Sequence, residues 1–211
     1  VQNQQNQTSQ NTQTYQVPPN LNHGGHELFD VHEVLSGSIN TLNTYMLMRE
    51  FVKDPELRDI LDRQYQFIQD EYNLTCECFK TGQHPSKRTE PYMMKQNNDF
   101  IYGMTPTSPK KPMQSTSEIS DQFISGTMLS CCKQGASART MAATESTNPV
   151  VRRVLAASIA NCIEMAYEIS LYQNKHKYYQ VPQLAQEDMQ QILNSYAPAQ
   201  TSPMQNNNMT H

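Results

Sequence analysis

Apolar side chains recur at three- and four-residue spacing along four long stretches of the chain, the spacing that gathers them on one face of an α-helix. In the first stretch, about His26 to Phe51, that face carries Leu28, Val31, Leu35, Ile39, Leu42 and Met46. In the second, Pro55 to about Lys80, it carries Leu57, Ile60, Leu61, Ile68, Tyr72, Thr75 and Phe79. Pro55 suits a first helical turn, where its missing N–H costs nothing, and Asp54 is placed to cap it. The third stretch, about Ser117 to Thr144, turns Ile119, Phe123, Gly126, Leu129, Cys132, Ala136 and Ala143 inward. Most of these are small, which lets neighbouring helices approach closely. The fourth runs from Pro149 to about Lys177, with Asn148 as its cap and Val151, Val154, Leu155, Ser158, Cys162, Met165, Ile169 and Tyr172 as its stripe. A short fifth helix is expected at 183–196.

Only a few residues separate the members of each pair, so each pair is predicted to pack as an antiparallel hairpin. Between the pairs, residues 81–116 hold Gly82, Pro85, Pro91, Pro106, Pro109 and Pro112, which rule out a long helix. A connection of that length is expected to cross from one hairpin to the other along the bundle, with Tyr92, Met93, Met94, Phe100, Ile101 and Tyr102 packing on its surface. The hairpins are also related to one another. Asp54-Pro55-Glu56-Leu57-Arg58-Asp59-Ile60-Leu61 opens the second helix and Asn148-Pro149-Val150-Val151-Arg152-Arg153-Val154-Leu155 opens the fourth. Both read cap, Pro, any, apolar, Arg, any, apolar, Leu. The prediction is an all-α fold: an antiparallel four-helix bundle from two related helical hairpins, 26–80 and 117–177, joined by a long crossover linker, 81–116.

Composition changes the picture at the two ends. Residues 1–23 and 197–211 are dominated by Gln, Asn, Thr and Ser, with too little apolar surface to offset the entropy of ordering them. Both are expected to be disordered tails around a folded unit at 24–196. The net charge of −4, with no basic stripe, argues against a nucleic-acid partner. No apolar run approaches the roughly 20 residues that cross a bilayer, so no membrane span is expected. The chain does not open on a basic start followed by an apolar stretch, so the expectation is cytosolic synthesis without a secretory signal. The five cysteines, Cys76, Cys78, Cys131, Cys132 and Cys162, form no C-x-x-C pair and read as partly buried thiols.

A bundle of this layout invites a test for a carboxylate-bridged metal pair, which needs two Glu-x-x-His pairs among its ligands. Glu27 leads to Asp30, Glu33 to Ser36, Glu71 to Leu74, Glu164 to Tyr167 and Glu168 to Leu171; none has His three residues on. His32, Glu71 and Glu168, each near an inward stripe, are the remaining candidates for a mononuclear site, weighed against ordinary hydrogen bonding or solvation. There is no Gly-rich phosphate loop, G-x-S-x-G or H-E-x-x-H. Cys76 or Cys131 would need His32 as a base, and no spacing brings them together. His176, within Lys175-His176-Lys177, reads as a solvated helix terminus. The expectation is no catalytic residue, no metal ligand, no cofactor and no enzymatic activity.

The paired hairpins, the two matching helix starts, the Gln/Asn-rich head and the Gly25-His26-Glu27-Leu28 opening resemble the coat F family of spore coat proteins from endospore-forming bacilli. The Ser-rich third helix, with Leu129-Ser130 and Gly135-Ala136, adds to the likeness, which covers about residues 24–180. The resemblance implies a ferritin-like fold that has kept the bundle without the iron chemistry. It implies a structural role in the spore coat, synthesis in the mother-cell cytoplasm and other spore coat proteins as partners, and it supplies no catalytic residues. An apolar stripe left over on a bundle favours a homo-oligomer, with a dimer foremost. Three cross-linking chemistries would suit such a role. Tyr15, Tyr92, Tyr102, Tyr178, Tyr179 and Tyr196 would be joined oxidatively, and Gln2, Gln4, Gln5 and Gln7 would be joined to Lys110 or Lys111. Cys131 and Cys132 lie about 100° apart on a helix, so one would face the core while the other faces a partner chain. The competing reading is a ferritin-like metal-binding or oxidase domain with non-standard ligands.

Overall fold

The computed structural model describes residues 23–199. Residues 1–22 and 200–211, with Tyr15 and the tail glutamines Gln2, Gln4, Gln5 and Gln7, lie outside the described residues. Among the described residues the α-helices are α1 (Gly25–Arg49), α2 (Pro55–Thr81), α3 (Asp121–Glu145), α4 (Pro149–Lys175) and α5 (Gln186–Leu193), with a 3-10 turn at Thr116–Glu118. The first four form the bundle: α1 and α4 each pack against both α2 and α3.

The repeated helix starts adopt one conformation twice. Asp54 (φ −79°, ψ 121°) accepts the Glu56 N–H at 2.8 Å, and Asn148 (φ −76°, ψ 120°) accepts the Val150 N–H at 2.9 Å. Each side chain satisfies a donor that the first helical turn would otherwise leave unpaired. At the far end of α2, Gly82 takes the left-handed conformation (φ 65°), and its N–H closes on the Cys78 carbonyl at 2.8 Å. The Gly82 carbonyl then accepts from Asn148 Nδ2 at 3.0 Å, so the end of one hairpin meets the start of the other's second helix.

The linker runs beside α4 for most of its length. Its early residues lie near Val150 and Val154, Tyr92 N–H reaches Asn161 Oδ1 at 2.8 Å, and Ile101 exchanges two hydrogen bonds with the Asn174 side chain. Beyond the helix Tyr102 pairs with Val181 in a parallel bridge. The prolines that prevent helix formation thus serve an extended crossing, fixed by Asn side chains of α4.

Two apolar clusters make the core. One centres on Tyr45, Leu57, Ile60, Met128, Met165 and Ile169, the other on Val31, Val34, Cys78, Ala142, Val151 and Leu155. Between them along the helices lie buried polar side chains: Ser38, Glu71, Arg139 and Ser158. The stripe read for α4 is buried at every position. That of α1 is not: Leu28, Ile39 and Met46 are exposed, and the buried positions are Glu27, Val31, Val34, Ser38 and Tyr45. Most of these fall one residue earlier than the apolar stripe, because the inward face carries a carboxylate and a hydroxyl that hydrophobic periodicity does not register. On α3 the inward face holds Ile124, Met128 and Arg139, Phe123 is exposed, and the helix starts at Asp121 because the Ser120 hydroxyl accepts the Phe123 N–H. The last helix is shorter than expected, and α5 packs on none of the other helices.

By length and composition, α4 is apolar enough to cross a membrane, although its sequence showed no long uninterrupted apolar run. Its apolar residues are the bundle core, and it buries Asn161, Glu168, Gln173 and Asn174 in hydrogen bonds to neighbouring segments.

Candidate functional site

The polar groups inside the bundle are the place to look for chemistry. Glu168 on α4 is fully buried, and donors surround it. Arg63 Nη2 donates at 2.7 Å, the Lys95 N–H at 3.1 Å and Gln64 Nε2 at 3.3 Å, and the Tyr92 hydroxyl also donates. Arg63 continues to Asp59 at 2.8 Å, and Gln64 accepts from the Tyr45 hydroxyl at 3.1 Å. Burial works to lower the Arg63 pKa, but its bonds to Glu168 and Asp59 outweigh this and hold the guanidinium firmly charged. Burial and the Glu168 carboxylate together push the Tyr92 hydroxyl well above the ordinary tyrosine range. Tyr92 therefore donates to the carboxylate and stays protonated.

Glu71 on α2 belongs to a neighbouring arrangement. Its Oε1 accepts from Asn161 Nδ2 at 2.6 Å, while Oε2 has no partner. Burial raises its pKa, against the opposing pull of Asn161 and of the Arg139 charge. His32, the third metal candidate, has an exposed side chain on α1. The structure links Glu71 to Glu168 only through Asn161 and Tyr92, and it does not bring His32 to them. Two guanidiniums, Arg63 and Arg139, point into the region where a cation pair would have to sit. This donor set does not fit a carboxylate-bridged metal pair.

A third buried carboxylate, Glu27, has its own nest at the bundle end. It accepts from the Thr147 N–H (2.9 Å), the Thr147 hydroxyl (2.7 Å) and the Asn148 N–H (3.0 Å), and His23 Nδ1 lies 2.7 Å away. The other ring nitrogen of His23 faces the Phe79 carbonyl at 2.6 Å, so the ring bridges Glu27 to the end of α2. Burial pushes Glu27 up, but the bonds from Thr147, Asn148 and His23 prevail and hold it below its ordinary value. This pin ties α1 to the turn before α4.

At the opposite end Asp54, Glu56 and His176 place ligand-type atoms within 4.8 Å of one another. Each carboxylate already has partners: Tyr172 donates to Asp54 at 2.9 Å and Lys175 to Glu56 at 2.7 Å. His176 is not the solvated terminus its flanking lysines suggested; it stacks with Tyr172 and Tyr178, ring centroids 4.4 and 5.6 Å away.

The thiols form no disulfide. Burial pushes Cys132 up to about 12 and Cys162 up to about 11, which suppresses the thiolate. Cys131 also rises through burial and lies against Thr41 between α1 and α3, so it does not face outward to a partner chain. Neither Cys76 nor Cys131 is brought to His32. Of the linker and C-terminal tyrosines, Tyr102, Tyr179 and Tyr196 are exposed, Tyr178 is half-buried, and Tyr92 is buried and unavailable for joining. Lys111 is exposed and Lys110 donates to the Tyr178 carbonyl at 2.9 Å.

The Coat F domain profile matches residues 120–182, which span α3, α4 and the turn beyond. The chain is 59% identical over 177 residues to the spore coat protein F-like protein YhcQ of Bacillus subtilis (strain 168), covering 84% of this chain and 82% of that one. The chain belongs to the coat F family. Membership makes it a structural protein of the spore coat. A crystal structure of a candidate spore coat protein from Bacillus halodurans C-125 is similar in fold, with a TM-score of 0.58 at 17% identity, over 80% of this chain and 99% of that one. The buried Arg63–Tyr92–Glu168 network escaped the sequence reading because its members lie far apart in the chain. The signal in the sequence was a Glu beside the α4 stripe and a polar Arg63-Gln64 pair within α2.

Proposed function

We propose that the protein is an inert, ferritin-like building block of the coat, which acts by packing and cross-linking rather than by turnover. The observation that carries this reading is the state of Glu168: its charge is neutralised by Arg63 and its lone pairs are taken by three further donors from the same chain. A carboxylate so engaged holds helices together and has little capacity left for a metal or substrate. The outer face of α1 supports self-association. Leu28, Phe29, Ile39, Met46 and Leu47 are all exposed on one side of that helix, Phe29 at 75% and Leu47 at 70%. We read this face as the contact with a second copy, giving a homodimer that joins other spore coat proteins. The exposed Tyr102, Tyr179 and Tyr196 and Lys111 are the accessible cross-linking groups.

The test is a metal analysis and a light-scattering mass on the full chain purified without chelators. The expected result is a substoichiometric metal content and a dimer that dissociates on Phe29→Ser with Leu47→Ser. Stoichiometric iron or manganese that is lost in Glu71→Gln or Glu168→Gln would overturn the inert reading. A monomeric wild type would overturn the dimer. Peptide mapping of intact spores checks cross-linking, which the reading requires at one or more of Tyr102, Tyr179, Tyr196 and Lys111.

A further inference from the structure

Arg139 differs from the other buried charges of the bundle. It is 5% exposed, and its bonds go to neutral groups: Nη1 to the Gly135 carbonyl at 3.3 Å and Nη2 to the Ser38 hydroxyl at 3.2 Å. Its Nε is buried without a partner. Beside it, between α1 and α3, lies a cavity of about 230 Å³ whose far wall is apolar, formed by Val34, Ile68 and Met165.

Two glycines shape this space. A Cβ on Gly135 would stand 3.1 Å from Arg139 Nη1 and 3.5 Å from Cys162 Sγ, so the guanidinium lies close over the glycine and would have to shift by a few tenths of an ångström for a larger residue. Gly37, an exposed residue on the α1 side of the cavity, has room for a side chain, since a Cβ there would meet nothing within 4 Å. Among the described residues no carboxylate hydrogen-bonds the Arg139 side chain: burial keeps the surrounding thiols protonated, and Glu71, close enough to feel the Arg139 charge, directs its one bonded oxygen to Asn161. Glu33 is at the rim, exposed, and favours a ligand that turns its negative end inward.

We propose that this cavity binds a small monocarboxylate, with the carboxylate on Arg139 and a compact apolar body against Val34, Ile68 and Met165. Guanidinium is the side chain best matched to a carboxylate, through parallel N–H···O bonds. An apolar cavity of about 150 Å³ holds benzene, so this larger one accommodates a ring bearing a carboxylate.

Fluorine NMR of the full chain with 4-fluorobenzoate tests the site without depending on stability. The expected result is saturable line broadening, reversed by benzoate and not by benzamide. Arg139→Met should weaken binding by about tenfold or more, the loss expected for a charge-assisted contact. Gly37→Leu, which sets a bulky side chain at the cavity mouth and leaves Arg139 in place, should weaken it comparably, and it decides the matter if Arg139→Met fails to fold. No saturable binding to the wild type would overturn the proposal, as would equal competition by benzamide or unchanged binding in Gly37→Leu. The cavity would then be a hydrated void with Arg139 serving Glu71 through water.

Discussion

Arg63 on α2 and Glu168 on α4, 105 residues apart, meet through Nη2 and Oε1 at 2.7 Å and join the two hairpins in the upper core. The carboxylate is fully buried and the guanidinium is about one-fifth exposed, so the two partners are not equivalent. Arg63→Met leaves a buried charge without its cation, which costs about 3–5 kcal/mol when a buried pair is broken. Glu168→Gln keeps the shape and removes the charge, and the double variant should recover part of the loss. Urea unfolding of the three variants checks this; equal stability of Arg63→Met and wild type would show that Glu168 is not held by Arg63.

The two helix caps form a matched pair with different surroundings. Asp54 caps α2 and takes the Tyr172 hydroxyl at 2.9 Å, while Asn148, fully buried, caps α4 through two N–H groups and also donates to the Gly82 carbonyl. Replacing an N-cap by Ala costs about 1 kcal/mol. Asn148→Ala should exceed that, because it also orphans a buried carbonyl. Asp54→Ala should stay nearer the typical figure. Denaturant midpoints of the two variants, compared at equal slope, give the order.

These cap and stripe features were open to the sequence because local rules decide them. Asp54-Pro55 and Asn148-Pro149 carry their own start signals, and the α4 stripe is mostly apolar, with Ser158 its polar member. The inward face of α1 was not legible, because what turns it is the nest that Thr147 and Asn148 build for Glu27, 120 residues away. Nor was Arg139: a long charged side chain in a Ser/Thr-rich helix reads as solvent-facing, whereas here it turns inward over Gly135 to the Ser38 hydroxyl. The linker's crossing followed from its length and prolines, whereas the burial of Tyr92 depended on Glu168 waiting on the helix it crosses.

Glu27 predicts an acid limb to the stability curve. Its carboxyl is held below the ordinary value of 4.5, so the folded form binds its proton less readily than the unfolded chain does. The stability it contributes is complete above that ordinary value and is lost as pH falls through the depressed one. Glu27→Gln removes this pH dependence and weakens charge-assisted bonds worth about 1.5–3 kcal/mol each. Melting temperatures from pH 3 to 7 should show a shallower acid limb and a lower plateau for the variant. An unchanged acid limb would mean that other carboxylates set it.

Glu71 predicts the opposite slope. Burial raises its pKa, so the folded chain holds this proton more tightly than the unfolded one. Its favourable contribution is present below the ordinary carboxyl value and is lost as pH rises through the raised one. One oxygen accepts from Asn161, and the other is buried without a partner, close to Ser158. An amide can keep the first contact and offer N–H groups where the orphaned oxygen stands, without the cost of a buried charge. Glu71→Gln should therefore be more stable than wild type at pH 7 to 8, by about 1 kcal/mol or more, with the gap closing towards pH 4. Denaturant unfolding at the two pH values measures it. A variant less stable than wild type at pH 8 would mean that Glu71 is ionised and paired with Arg139, and that its burial is supported by charge rather than tolerated.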